Sequence, residues 1–237
     1  IYTLSLHDAL PILKLMGQEV TADALRRFRI YYERLTEVGS VMNLTAIKGE
    51  GPVATLHFLD SAALLRYADF SGARVLDVGT GAGFPGLPLA ILRSDARFTL
   101  LDSQQKRIDF LQDTVSRLGL KNVECVCLRA EEAPPEYRES FDIVTSRAVA
   151  RLNVLAELCL PFVKLGGSFI AMKALDCGEE RQEAQNAAHE LGGSFPDLRR
   201  YDIPFSDTGR ALIVIGKAAP TPAKYPRRWA KITKQPL

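Results

Sequence analysis

Cysteine is scarce, tryptophan occurs once, and neither sign of charge dominates: 237 residues hold four cysteines, one tryptophan and a formal net charge of +2. The cysteines make no disulfide framework. Cys125 and Cys127 alternate on a predicted strand, a spacing poor for a zinc knuckle, and Cys159 and Cys177 have no partner spacing. Reduced structural thiols and no metal site are expected. No apolar run approaches membrane-spanning length, and no basic stretch leads into a secretory core, so a cytoplasmic protein with no membrane partner is expected. What is present is ordinary for a globular chain, 47% hydrophobic and 24% charged, with length for one well-packed α/β domain and a small accessory element.

The charge is unevenly placed. Lys224, Arg227, Arg228, Lys231 and Lys234 fall in residues 219–237, which contain no acid. Setting those five aside leaves 25 basic residues against 28 acidic ones, a body of net charge −3. With Tyr225 and Trp229 interleaved, the tail suits a nucleic-acid backbone with bases available for stacking; the plainer reading is a solvated charge run. At the other end, Ile1–Ile12 has neither clear amphipathicity nor a targeting pattern. It reads as a non-native or disordered segment, and His7 and Asp8 carry no functional expectation.

The run Val75-Leu76-Asp77-Val78-Gly79-Thr80-Gly81-Ala82-Gly83-Phe84-Pro85-Gly86 is the most informative in the chain. Its hydrophobic lead predicts a buried parallel strand, and its glycines let the backbone turn tightly and approach a ligand. Gly81-x-Gly83-x-x-Gly86 fits the dinucleotide fingerprint, in which a helix N-terminus receives a pyrophosphate. Asp77-x-Gly79-x-Gly81-x-Gly83 fits instead the first motif of S-adenosylmethionine (AdoMet) methyltransferases. Phosphate repels a nearby carboxylate, whereas AdoMet carries an ammonium and a sulfonium, so Asp77 points to the cationic ligand. Asp102 ends the next short apolar strand, where an acid can accept both ribose hydroxyls; its plainer role is to cap the helix starting near Gln104.

Periodicity organises the rest. Thr21 can cap a helix carrying Leu25, Phe28, Tyr32 and Leu35 and ending at Gly39, and Pro52–Tyr67 reads as a second helix. From Arg74, strands at Val75–Val78, Phe98–Leu101, Val123–Cys127, Ile143–Thr145 and Ser168–Met172 alternate with helices near Pro85–Leu92, Gln104–Leu118, Asn153–Phe162 and Glu179–Leu191. Tyr201–Pro204 and Arg210–Ile215 form a closing hairpin. The pattern predicts an α/β fold, the Rossmann-like, seven-stranded and mainly parallel sheet of class I AdoMet-dependent methyltransferases, with a helical N-terminal extension. The expected units are a helical subdomain at 13–70, the methyltransferase domain at 71–218 and a basic tail at 219–237.

Several segments together resemble one family. They are Met42-Asn43-Leu44-Thr45-Ala46-Ile47, His57-Phe58-Leu59-Asp60-Ser61, the glycine run with its Phe-Pro-Gly ending, Leu100-Leu101-Asp102-Ser103, Lys106-Arg107, Phe141-Asp142, Ser146-Arg147-Ala148 and Lys224-Tyr225-Pro226-Arg227-Arg228. On these the chain resembles the glucose-inhibited division protein B family of bacterial 16S rRNA guanine-N7 methyltransferases from about Leu13 onward. Thr36–Val41 departs from a usual tryptophan-asparagine pair, and Trp229-Ala230-Lys231-Ile232 from a glycine- and proline-bearing link. The resemblance implies AdoMet as cofactor and one guanine of 16S rRNA as acceptor, position 527 in standard 16S numbering, in the 30S subunit or an assembly intermediate. A monomer is expected.

By matching position, Gly79, Gly81 and Phe84 are expected to border AdoMet, with Asp102 and Ser103 at its ribose. Ala130 and Glu131 follow the third strand and can read the adenine edge; for Glu131 the plainer role is a solvated helix start. Arg147 follows the fourth strand and can hold the methionine carboxylate or an RNA phosphate, or pair with a nearby acid. Lys173 closes the fifth strand and can touch a phosphate or guanine O6. Arg147 and Lys173 are the candidate catalytic residues, and Lys224, Arg227, Arg228 and Lys231 the expected RNA contacts.

Guanine N7 has an in-plane lone pair and no proton, so the transfer needs alignment more than a base. The chain has the marks of neither amino-group nor cytosine-C5 methylation: Thr145-Ser146-Arg147-Ala148 stands where an Asn/Asp-Pro-Pro-aromatic motif belongs, and Cys159 is followed by Leu160-Pro161 instead of being preceded by proline. His57 and His189 have no persuasive partner as bases. A nicotinamide oxidoreductase, a non-catalytic RNA-binding module and a methyltransferase of proteins or small molecules are the competing functions.

Overall fold

A computed structural model describes residues 20–42, 44–147, 150–204 and 206–237. The Ile1–Ile12 segment, Asn43 and Ala148 lie outside these residues. Helix α1, Ala22–Met42, is capped by the Thr21 hydroxyl, which accepts a hydrogen bond from the Ala24 N–H at 3.1 Å. Its buried stripe is Ala24, Phe28, Tyr31 and Leu35, turned slightly from the one expected through Leu25 and Tyr32. The helix continues past Gly39, because packing of that stripe outweighs the cost of about 1 kcal/mol for an interior glycine. A composite helix over residues 50–66 follows, opening as an α-helix at Glu50–Val53 and widening into a π-helix at Ala54–Leu59. It closes with an α-helical turn at Asp60–Ala62 and a 3₁₀ turn at Ala63–Arg66.

Seven strands form one sheet: β1 (Arg74–Val78), β2 (Arg97–Asp102), β3 (Val123–Cys127), β4 (Phe141–Arg147), β5 (Val163–Ala174), β6 (Asp197–Asp202) and β7 (Gly209–Gly216). Their spatial order is β3-β2-β1-β4-β5-β7-β6. The first five run parallel, and the β6–β7 hairpin pairs antiparallel against β5. Helices α2 (Gly86–Leu92), α3 (Gln105–Leu118), α4 (Leu152–Cys159) and α5 (Gly178–Glu190) supply the crossovers. Chain direction through the sheet reverses between β1 and β4, with Val75 facing Phe98 of β2 on one side and Ile143 of β4 on the other. Doubly wound sheets open a ligand crevice at the carboxyl ends of such a strand pair.

Both faces of the sheet are covered, which is why its central strands are nearly uniformly apolar. One core joins Val75, Phe98, Leu100 and Ile143 to α1, the composite helix, α2 and α3. The other joins Leu76, Leu101, Val144 and Phe169 to α4 and α5, and includes Tyr225 and Ile232 of the C-terminal segment. Strand β6 starts at Asp197, earlier than the expected Tyr201. The charged pair Arg199-Arg200 hides its strand character, and Pro204 lacks the N–H needed to extend it.

The C-terminal segment is not a freely solvated tail. Arg227 donates to both carboxylate oxygens of Glu157, whose side chain is 1% exposed, and the Arg227 N–H adds a third bond at 2.8 Å. The Tyr225 hydroxyl donates to Glu190 at 2.8 Å, and Arg138 donates to the Tyr225 carbonyl at 2.8 Å. The chain then ends in helix α6, Trp229–Lys234, whose Ile232 is fully buried. Arg227 is therefore a structural partner instead of the expected RNA contact, and buried Tyr225 is unavailable for base stacking. Glu157→Ala would strand the Arg227 cation and is expected to cost about 3 kcal/mol of stability in urea denaturation, most of it recovered in a Glu157→Leu, Arg227→Met double variant.

Candidate active site

The glycine loop takes its shape from Asp77, the fourth residue of β1. Its side chain is fully buried, and Oδ2 accepts hydrogen bonds from the Thr80 hydroxyl at 2.6 Å and the Gly86 N–H at 2.9 Å. Oδ1 accepts from the Thr145 hydroxyl of β4 at 3.1 Å. Burial pushes the carboxyl above the ordinary 3.8, while these three donors favour its charged form. Asp77 is thus enclosed beneath the loop and presents no exposed charge to a ligand. It is the internal anchor of the loop.

Two glycines show why the motif tolerates nothing larger. Gly81 sits at φ +61° with open space where a Cβ would point, a conformation that β-branched residues avoid. At Gly86 a Cβ would lie 2.3 Å from the Leu100 side chain and 2.9 Å from Asp77 Oδ2. Helix α2 can begin there only without a side chain.

Asp102, 3% exposed at the end of β2, holds the loop from the other side. Oδ1 accepts from the Gln104 N–H at 2.9 Å, a bond to the residue before the helix and not a cap of its first turn, while Oδ2 accepts from the Gly81 N–H at 3.0 Å and from Arg107 at 3.2 Å. A carboxylate offers about four acceptor directions, so one remains for a ligand. The helix that follows has no side-chain cap, so the plainer expectation of a capping role is not met, while the free acceptor direction leaves room for a ribose hydroxyl.

These groups border a cavity of about 550 Å³. All eight positions expected at the cofactor line it: Gly79, Gly81, Phe84, Asp102, Ser103, Ala130, Glu131 and Arg147. Glu131 lies in a 3₁₀ turn, Ala130–Glu132, just after β3. Its side chain is 7% exposed, and Oε1 is buried without a hydrogen-bond partner, its nearest cation being Arg129 at 3.6 Å. An acceptor left unpaired costs about 1–3 kcal/mol, so this oxygen suits a donor on a bound ligand, such as an adenine amino group. The residues present therefore fit an adenosine-bearing cation: acceptors at two points, an open glycine turn between them, and no cluster of phosphate-binding cations on the loop.

Sequence reasoning missed several cavity walls. Trp229 of α6 lines the cavity, together with Leu158 of α4. Thr45 and His57 line it from the N-terminal side. His57 stacks on Phe84 with ring centroids 4.2 Å apart, and the Arg147 guanidinium lies 4.7 Å from the Phe84 ring centre. An Arg147 N–H donates to His57 Nδ1 at 3.1 Å; arginine has no acceptor, so the imidazole proton sits on Nε2 and donates to Thr45 Oγ1 at 2.7 Å. Burial, and then the Arg147 charge, lower the His57 pKa from 6.5 to about 3. It is neutral, with its lone pair occupied. The His57-Phe58-Leu59-Asp60 segment carried a usable signal, since its two polar residues are three apart on one helix.

Arg147 also faces Asp60 at 3.6 Å, so the plain ion-pair reading of this arginine holds alongside its place in the cavity. Asp60, 2% exposed, accepts from the Tyr201 hydroxyl at 2.6 Å and faces Arg210 at 3.6 Å. Lys173 is not in the cofactor cavity; its ammonium is held by the Ala150 carbonyl and Glu180, both at 2.6 Å. It lines a second cavity of about 590 Å³, which shares only His57 and Arg147 with the first among the described residues. Of the expected RNA contacts, Arg228 and Lys231 are exposed, and Lys224 is 67% exposed at 3.7 Å from Glu190.

Trp229 is the chain's single tryptophan, so it reports on the cavity by itself. Titration with AdoMet is expected to change its fluorescence saturably, with the same midpoint as calorimetry. Calorimetric binding without any change in emission would remove Trp229 from the cofactor's surroundings.

A family model described as rRNA small subunit methyltransferase G (GidB) matches residues 24–196. The chain is 43% identical over 225 residues to ribosomal RNA small subunit methyltransferase G of Clostridium perfringens (strain 13 / Type A), with 94% of each chain covered. It is 46% identical over 228 residues to the protein of that name from Lachnoclostridium phytofermentans, covering 95% of this chain and 94% of the relative. Among solved structures, a SAM-dependent O-methyltransferase from Thermotoga maritima aligns with TM-score 0.57 at 16% identity, over 80% of this chain and 71% of that one, a likeness of fold alone. With the glycine loop, the paired carboxylates and the sheet order in place, and with relatives matched over 94% of their length, the chain belongs to the rRNA small subunit methyltransferase G family.

Proposed function

We propose that this chain transfers the methyl group of AdoMet to N7 of a guanine in 16S rRNA, within the 30S subunit or an assembly intermediate. The observation that carries the reading is the cavity at the β1–β4 switch point, where all eight expected cofactor positions converge. When bound, AdoMet supplies an electrophilic methyl group on a sulfonium. Asp77 fixes the loop that faces the ligand, Asp102 would accept from its ribose through its remaining acceptor direction, and the unpaired Glu131 Oε1 would accept from its adenine. Arg147, at the junction of the two cavities, is placed for the methionine carboxylate.

No side chain need remove a proton from guanine N7, and the site is built accordingly. The His57 lone pair is occupied by Arg147, and Cys159 is fully buried with its thiol pushed well above the ordinary 9.0 by burial. Mechanisms needing a histidine base or a cysteine nucleophile find no free group here. Positioning and electrostatics carry the reaction. The exposed cations Lys224, Arg228 and Lys231 supply backbone contacts to RNA, with salt-dependent affinity. An rRNA substrate implies a cytoplasmic protein; among the described residues no helix is long and apolar enough to cross a membrane.

The test is to incubate the protein and AdoMet with unmodified small-subunit particles and, separately, with free 16S rRNA, then map N7-methylguanine by chemical cleavage. One methylated guanine is expected on at least one of the two substrates. Gly81→Val, verified as folded, is expected to abolish it. No methylated guanine on either substrate, with AdoMet binding intact, would contradict the proposal.

A further inference from the structure

The second cavity opens at the same edge of the sheet as the first. Arg147 ends β4, Lys173 lies near the end of β5, and Arg210 lies at the start of β7. At about 590 Å³ it has room for a nucleotide. Arg147, Arg151, Lys173 and Arg210 outnumber its two carboxylates, Asp60 and Glu180, which suits a ligand carrying phosphate.

The chemistry of the acceptor narrows what can recognise it there. The usual bidentate arginine contact to guanine O6 and N7 is unavailable, because N7 must stay bare to react. Guanine must then be distinguished by its other edge, where N1–H and the 2-amino group are adjacent donors. A single carboxylate oxygen, with two acceptor directions, can take both of these donors and meets the bare N1 of adenine unfavourably. Asp60 is already committed, fully buried between Tyr201, Arg147 and Arg210. Glu180 is different. Its side chain is 25% exposed, and its bonds fall on Oε2, which accepts from Lys173 at 2.6 Å and from the Leu152 N–H at 3.1 Å. Those two donors fix the carboxylate against the cavity wall and leave Oε1 to a ligand.

We propose that the second cavity receives the acceptor guanine and that Glu180 is its specificity residue, accepting hydrogen bonds from N1–H and the 2-amino group. Lys173, expected from sequence to touch the base or a phosphate, is the positioning residue that holds Glu180. The assignment rests on guanine-N7 methylation as the activity.

The test compares small-subunit particles carrying guanosine or inosine at the target position. Inosine keeps N7, O6 and N1–H and lacks only the 2-amino group. Wild-type protein is expected to prefer guanosine in kcat/KM by about tenfold or more, the discrimination of one good base contact. In Glu180→Gln the one amide oxygen stays with Lys173 and the Leu152 N–H and the amide NH2 takes the place of Oε1, a donor set against donors, so the variant's preference is expected to shrink to within about twofold, with AdoMet affinity unchanged. Equal use of guanosine and inosine by wild-type protein overturns the assignment without any variant. A folded Glu180→Gln protein that keeps the wild-type ratio also overturns it. Wild-type protein that binds AdoMet and methylates neither particle overturns the activity itself, a result distinct from both.

Discussion

The Asp77 carboxylate joins three parts of the chain by hydrogen bonds that water cannot reach. Its donors are Thr80 in the glycine loop, Gly86 at the start of α2 and Thr145 of β4. A buried carboxylate is costly unless its acceptors are filled, and here three donors fill them. The loop consequently has one favoured course between β1 and α2, and Asp102 fixes its midpoint through the Gly81 N–H. The backbone that faces the cofactor is set before any ligand arrives, which is the preorganisation that alignment-driven methyl transfer requires.

The walls around that loop come from the whole chain. The N-terminal helices bring Tyr31, whose hydroxyl donates to the Ala82 carbonyl at 2.5 Å, and His57, which stacks on Phe84. The C-terminal segment brings Trp229, held in place by Arg227–Glu157 and Tyr225–Glu190. Arg147 stands between the two cavities, touching Phe84 and His57 while facing Asp60. A cation so placed lines both cavities at once.

Much of this was legible in the sequence, for physical reasons. Buried parallel strands announce themselves as apolar runs, so β3 falls at the expected Val123–Cys127 and the others differ mainly at their ends. The positions expected at the cofactor cluster around one cavity at strand ends, where topology brings together residues distant in sequence. What pattern could not supply was pairing. Arg227 and Glu157 are 70 residues apart, and nothing local marks one cation of the basic tail as half-buried and paired while Arg228 next to it is exposed. For the same reason Asp77 read as a charge facing a ligand, because its three donors lie in the loop, on α2 and on β4. His57 seemed partnerless until Thr45 and Arg147 met at its two ring nitrogens.

The central claim is that the buried Asp77 network shapes the cofactor loop, and Asp77→Asn tests it most directly. The amide keeps one acceptor oxygen and loses the charge, weakening hydrogen bonds worth roughly 1.5–3 kcal/mol each. Calorimetry with AdoMet on a variant shown to be folded by circular dichroism should give binding weakened by about tenfold or more. Wild-type affinity in that folded variant would contradict the account, since the loop would then hold its shape without the carboxylate beneath it.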